Sequence, residues 1–259
     1  MSYEAAIVDV DGTIVRGDAV IPGAVAGLRA LESRGIQLLL FSNNPTRGGP
    51  YYRDKLADHD IDIGAANVLT SATVTAEYLS ATHPESEIYL VGESRLASIL
   101  TEAGLTLTAD PGHADVVLGS IDRGLTYRTV ADAQLALEGD VPFYGTDPDA
   151  TIPTEEGSVP GTGAILGALE AVAGREPDEI LGKPSSIAAA AAMTRLESLP
   201  GRTLVIGDRL DTDVALGNRA GMETALVQTG LTTQAMRDRS DVAPDHVLES
   251  LGDVETILE

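Results

Sequence analysis

Four short polar segments hold the residues that could do chemistry together. "DVDGT" sets Asp9 and Asp11 two positions apart directly behind the apolar run "AAIV", "FSNN" supplies Ser42, Asn43 and Asn44, "GKPSS" supplies Lys183, and "GDRLDTD" supplies Asp208, Asp211 and Asp213. Two carboxylates in one pocket raise each other's pKa unless a cation neutralises them, so the first pair points to a shared proton or to a metal. Acids alone would draw only cations. The hydroxyl, the amides, the ammonium and the helix start beyond Pro184 suit an anion instead. A divalent metal beside a phosphate satisfies both halves. Mg²⁺ takes near-octahedral oxygen ligands, only one or two of them protein carboxylates, and Asp9 and Asp208 can supply those two. If the chain leaves a strand at Asp9 and bends at Gly12, Asp9 can face a phosphorus while Asp11 reaches the bridging oxygen. The missing Cβ of Gly12 lets backbone N–H groups approach phosphoryl oxygens.

Positioning these segments requires a sheet. Short runs rich in Val, Ile and Leu ("AAIVDV", "IQLLLFS", "EIYLVG", "ADVVLGS", "VPFYGTD", "EILGK", "TLVIGD", "ETALVQTG") alternate with longer amphipathic stretches. That is the pattern of βαβ units: an α/β fold with a parallel sheet and helices on both faces. Helices are predicted from Pro22 to Gly35 and over residues 71–82, 127–138, 161–173, 185–199 and 211–220. In an open parallel sheet, ligands bind beyond the carboxyl ends of the strands, and the "DVDGT", "FSNN" and "GDRLDTD" segments fall just there. Residues 146–161 concentrate Pro, Gly and Asp and are predicted to form a long ordered loop. An inserted α/β unit is placed at residues 80–180, between core halves 1–79 and 181–259.

Taken in order, "DVDGT", "SNN", "GKP" and "GDRLDTD" resemble the four motifs of the haloacid dehalogenase-like superfamily, and the likeness runs over nearly the whole chain. The insertion, with "TDPDATIPT" ahead of "GKPS", resembles the NagD and p-nitrophenylphosphatase branch with its α/β (type C2a) cap. The resemblance implies a Rossmann-like core and a Mg²⁺-dependent phosphatase that hydrolyses small phosphomonoesters through an aspartyl phosphate. Asp9 would be the nucleophile and a metal ligand. Asp11 would protonate the leaving alcohol, then activate water, and bind the metal through its main-chain carbonyl. Asp208 would complete the metal site, while Asp213 would anchor a metal-bound water or orient Lys183. Ser42 and Lys183 would hold the non-bridging oxygens, with Asn43 a further phosphate contact. The cap would close over the core and shield the intermediate, and a homodimer through the cap is the implied assembly. Substrates on this reading are p-nitrophenyl phosphate in the assay and a nucleotide, phosphoglycolate, glycerol phosphate or sugar phosphate in the cell.

Several residues admit plainer roles. Thr13 could only close the turn after Gly12, Asp211 could cap a helix beginning near Thr212, and Asp147 and Asp149 could be turn formers beside Pro148; the family more often has asparagine at position 147. Lys183 considered alone would sooner pair on the surface with Glu179. Yet only Lys55 and Lys183 among 17 basic residues are lysines, which suggests that position 183 needs a compact ammonium rather than a guanidinium. Arg47 and Arg123 are candidate substrate contacts at the cap.

Composition narrows the field further. A net charge of −23 argues against nucleic acid as a partner, since phosphate backbones need a positive face. With no cysteine, disulfides and thiolate sites drop out, and His59, His83, His113 and His246 lack ligand-like spacing. No apolar run reaches membrane-spanning length and the N-terminus lacks a secretory pattern, so a soluble cytoplasmic protein is expected. The acid surplus with little lysine resembles proteins of salt-loving archaea, in which concentrated salt screens self-repulsion. Melting temperature and solubility should therefore rise from low to molar KCl; a flat series would mark an ordinary acidic protein. Three other readings use the same acids. A receiver-like phosphoprotein is about half as long and carries its acceptor on a later strand, a nucleotide-sugar transferase leaves "GKP" and "GDRLDTD" unused, and an inactive phosphometabolite-binding protein has no reason to keep every catalytic group.

Overall fold

In the computed structural model, residues 3–64, 67–154 and 157–258 are described. The chain forms two compact units, one made of residues 1–42, 49–69 and 188–259 and the other of residues 43–48 and 70–187. The inserted segment expected at residues 80–180 lies within the second.

The first unit is built on a six-stranded sheet in the order His246–Leu248, Glu223–Val227, Thr203–Gly207, Ala5–Val8, Gln37–Ser42, Val68–Thr70. Ala5–Val8 runs parallel to both its neighbours, with Val8 opposite Ile206 on one side and Leu40 on the other. Side chains alternate across a strand, and both faces are buried. Ala6, Val8, Leu38, Leu40, Leu204 and Ile206 pack with Leu28 and Leu31 of the helix Ala24–Ser33 and with Leu251 and Val254, while Ile7, Leu39, Phe41 and Val205 are equally buried. That double burial is why the strands read as unbroken apolar runs. At about 1.5–3 kcal/mol for each fully buried Val, Leu or Ile, the core gives the polar strand ends a rigid base.

In the second unit a parallel sheet has the order Glu179–Ile180, Phe143–Gly145, Val116–Gly119, Glu87–Val91, Thr106–Thr108. Helices Ser71–Thr82 and Ser94–Glu102 supply Ala72, Ala76, Leu79, Leu96 and Leu100 to one side. Tyr127–Ala136 and Thr162–Ala173 supply Ala133, Ala136, Ile165, Leu166 and Leu169 to the other. Thr70 and Thr73 close a reciprocal capping box at the start of Ser71–Thr82, satisfying two otherwise orphaned N–H groups.

Two expectations need correction. Residues 146–161 are not a plain loop, because Thr151–Thr154 and Gly157–Pro160 pair as an antiparallel hairpin; its four-residue strands are too short, and too rich in Pro and Gly, to show a period. The helix expected over 211–220 begins instead as a π-helical turn, Leu210–Val214, and continues as Ala215–Ala220. Among the described residues no helix is long and apolar enough to cross a membrane.

Candidate active site

The acids of the first unit meet because their strands are neighbours. Asp9 extends the strand Ala5–Val8, its N–H donating to the Ile206 carbonyl at 2.8 Å, and Asp208 follows the adjacent strand Thr203–Gly207. Adjacent strands lie about 4.8 Å apart, so the two side chains leave the same rim side by side. The π-helical turn then brings Asp213 back, its Oδ2 accepting from the Arg209 N–H at 3.2 Å. One oxygen from each of Asp9, Asp208 and Asp213 lies within 4.8 Å of the others, and all three residues are buried. The Asp11 carboxylate stands outside this trio.

Three such charges cannot be left uncompensated. Like charges within 4.8 Å of one another repel by several kcal/mol a pair, about 3–4 kcal/mol at that outer limit for an effective dielectric of about 20. A single shared proton would still leave two facing carboxylates, whereas a divalent cation offsets two charges and takes oxygen donors from within the trio. The donor set therefore fits a hard divalent metal.

The surrounding backbone is shaped to hold Asp208. Its Oδ2 accepts from the Leu231 N–H at 2.6 Å. Gly12 sits at φ +97°, where a Cβ would strain the turn and stand 2.7 Å from that same oxygen. Thr229 ties the two loops together by donating from Oγ1 to the Gly12 carbonyl at 2.6 Å, and Arg16 donates to the Thr229 carbonyl. Thr13 does more than close the turn, since its hydroxyl reaches Asp9 Oδ2 at 3.4 Å.

Asp11 is exposed while Asp9 is buried. The difference arises in the turn, where the Val10 carbonyl accepts from the Ile14 and Val15 N–H groups at 2.9 and 3.0 Å and lifts Asp11 to the rim. There Ser42 Oγ, at the end of Gln37–Ser42, donates to Asp11 Oδ2 at 3.1 Å. The phenol of Tyr52 lies 3.2 Å from the same oxygen and 2.9 Å from Ser42 Oγ. Sequence reasoning missed Tyr52, which lies ten positions beyond Ser42 on the unpredicted helix Gly49–Ala57; its signal in the sequence was the helical spacing of Gly49, Tyr52 and Leu56, the three positions the helix buries.

Asp211 does not cap a helix. It pairs with the Arg209 guanidinium at 3.0 and 2.8 Å. Burial alone would raise its pKa, but the hydrogen bonds and charge of Arg209 prevail and hold it below the usual value.

Lys183 and Asn43 belong to the second unit, where they clasp each other: Asn43 Nδ2 donates to the Lys183 carbonyl at 3.0 Å, and the Lys183 N–H donates to Asn43 Oδ1 at 2.8 Å. Ser71 Oγ steadies the loop through the Asn43 carbonyl at 2.7 Å. Lys183 is only 2 % exposed, so a surface pair with Glu179 is excluded. Asn44 serves the turn, its Oδ1 accepting from the N–H and hydroxyl of Thr46 at 2.9 Å each. Arg123 pairs with Glu93 at 2.6 Å on the surface.

Asp147 is more than a turn former. Its Oδ2 accepts from Thr162 at 2.7 Å and Thr146 at 3.0 Å, and its Oδ1 accepts from the Asp149 N–H at 3.2 Å. Burial, and then the charge of Asp149, push its pKa up to about 8 against these hydrogen bonds. Because the unfolded value is near 3.8, folding takes up a proton between these limits, and the stability held at low pH is lost as pH rises from about 4 to about 8. Asp147→Asn cannot ionise, so relative to this variant the wild-type protein should melt several degrees lower as pH is raised through that window. A melting difference that does not vary with pH would refute this.

Known proteins resemble this chain in sequence and fold. Residues 6–106 match the family described as haloacid dehalogenase-like hydrolase and residues 180–254 match a second HAD-hydrolase-like model. The acid sugar phosphatase of Staphylococcus aureus is 35 % identical over 257 residues, spanning 99 % of this chain and 98 % of its own. Among solved structures, the p-nitrophenyl phosphatase from Archaeoglobus fulgidus superposes with a TM-score of 0.94 at 32 % identity over 100 % of both chains. NagD from E. coli K-12 superposes with 0.85 at 29 % identity over 98 % of both. With the fold, the order of its motifs and relatives alike over their full length in agreement, the chain belongs to the haloacid dehalogenase-like hydrolases, in the branch of NagD and the p-nitrophenylphosphatases.

Proposed function

We propose that this phosphatase passes the phosphoryl group of a small phosphomonoester first to Asp9 and then to water, using Mg²⁺ held by Asp9, Asp208 and the main-chain carbonyl of Asp11, with Asp213 behind them. The observation that carries the reading is the trio of buried carboxylates within 4.8 Å of one another, beside an exposed Asp11. When bound, the cation would offset the acids' charge and polarise the phosphoryl oxygens. Asp9 attacks phosphorus as the bond to the leaving alcohol breaks, and Asp11 gives that oxygen its proton. Asp11 then takes a proton from the water that cleaves the acyl phosphate and frees Asp9. Ser42 donates to a non-bridging oxygen.

For the second unit, the motif order assigns Lys183 and Asn43 to the remaining phosphoryl oxygens. Lys183→Arg keeps the charge but exchanges a compact ammonium for a broad planar fork, and kcat should fall about 10- to 100-fold; an unchanged kcat would remove Lys183 from this role. The named activity of the staphylococcal relative favours a sugar phosphate as the natural substrate, with p-nitrophenyl phosphate as a surrogate.

The test is phosphate release from p-nitrophenyl phosphate and a panel of sugar phosphates, with Mg²⁺ and with EDTA, in high salt. Turnover that requires the metal is the expected result. Activity undiminished by EDTA, or none on any substrate, would overturn the reading.

A further inference from the structure

Tyr52 is among the largest fully buried side chains, 1 % exposed, and packs within the main core of the first unit. Its phenol points to the rim, 2.9 Å from Ser42 Oγ and 3.2 Å from Asp11 Oδ2, while Ser42 Oγ is itself 3.1 Å from Asp11 Oδ2. Both hydroxyls thus lie within hydrogen-bond reach of one carboxylate oxygen, which when ionised can only accept. With Oδ2 occupied by donors, Oδ1 is the oxygen left to carry and deliver a proton. A carboxyl on an exposed turn would otherwise rotate freely.

We infer that Tyr52 is a positioning residue for Asp11: its O–H pins Oδ2 and presents Oδ1 to the leaving-group oxygen of the substrate. This rests on the reading of Asp11 as the general acid. Ser42 cannot do this alone, because the same reading turns its hydroxyl toward the phosphoryl group, leaving Tyr52 as the donor that remains on Asp11. The helix Gly49–Ala57 makes the arrangement rigid, as Tyr52 and Leu56 are both buried in the core and fix the ring.

A positioned acid matters in proportion to the basicity of the departing oxygen. p-Nitrophenolate leaves readily without a proton and phenolate does not, although the two esters are close in shape. Tyr52→Phe keeps the ring and removes only the O–H. Its kcat/KM, which reports the steps through loss of the alcohol, should fall about tenfold for phenyl phosphate and less than about threefold for p-nitrophenyl phosphate, a modest part of the ~10²–10⁴ that general acids supply. Tyr52→Leu, which fills most of the space without a hydroxyl, should show the same selectivity. In an Asp11→Asn background, Tyr52→Phe should leave the ratio between the two esters unchanged. Equal losses on both esters would mean that Tyr52 only packs, and no loss on either would mean that it does not hold the acid; each result overturns the inference. A wild-type protein inactive on both esters would instead refute the phosphatase mechanism on which it stands.

Discussion

Asp9→Asn should lose at least ~10³-fold in kcat/KM with p-nitrophenyl phosphate while remaining folded. The carboxamide is a poor nucleophile, and it removes one of three oxygens that lie within 4.8 Å of one another, so attack and metal binding fail together. The same substitution has an effect on stability with the opposite sign. Without metal, replacing one carboxylate of the trio removes two of its three like-charge repulsions. The variant should therefore melt higher than the wild-type protein in EDTA and gain much less on addition of Mg²⁺, since ligand stabilisation follows affinity for the folded state. Calorimetry with and without Mg²⁺, beside the phosphate assay, checks both halves. Full activity in the variant would end the role given to Asp9, and equal Mg²⁺ stabilisation of both proteins would place the metal elsewhere.

Gly230→Ala should be nearly as damaging, although it deletes no chemical group. A Cβ at this position would overlap the Asp208 carboxylate, and the next N–H, that of Leu231, is the donor that holds Asp208 Oδ2 at 2.6 Å. Neither backbone nor carboxylate can give way without moving Asp208 off its place at the strand end. Groups that orient a metal ligand typically matter by about 10- to 100-fold in metal affinity, and a loss of that size is expected in a Mg²⁺ titration of activity. Excess Mg²⁺ should restore part of the rate, which distinguishes a weakened site from a broken fold. Gly201→Ala is the control, because nothing lies within 4 Å of a Cβ there. Equal Mg²⁺ dependence in both alanine variants would show that Asp208 has no need of the gap.

Much of the fold was legible because its signals are local. Each of the apolar runs read as strands contains a strand, and the helix predicted over 71–82 spans Ser71–Thr82. Elements that escaped were short, among them the hairpin Val15–Arg16 with Ala19–Val20, the strands Val68–Thr70, Thr106–Thr108 and His246–Leu248, and the helices Gly49–Ala57, Ser94–Glu102 and Gln234–Arg237. A two- or three-residue strand has no period to detect, and its existence depends on a neighbour to pair with. Asp147 was legible as a polar residue beside Pro148, yet its burial under Thr146 and Thr162 depends on residues up to fifteen positions away.

By itself the sequence determined that a parallel α/β architecture would form and that its acids, hydroxyl and amides would stand at strand ends, because side-chain alternation and turn chemistry are written within a few residues of each site. It did not determine which strand ends would touch. Only the tertiary structure set Thr203–Gly207 beside Ala5–Val8, folded Asp213 rather than the Asp11 carboxylate into the buried trio, and delivered Tyr52 to Asp11 from a separate helix. Those choices depend on strand order and on packing between distant segments, where the free energy lies in burial shared by the whole core rather than in any one stretch of chain.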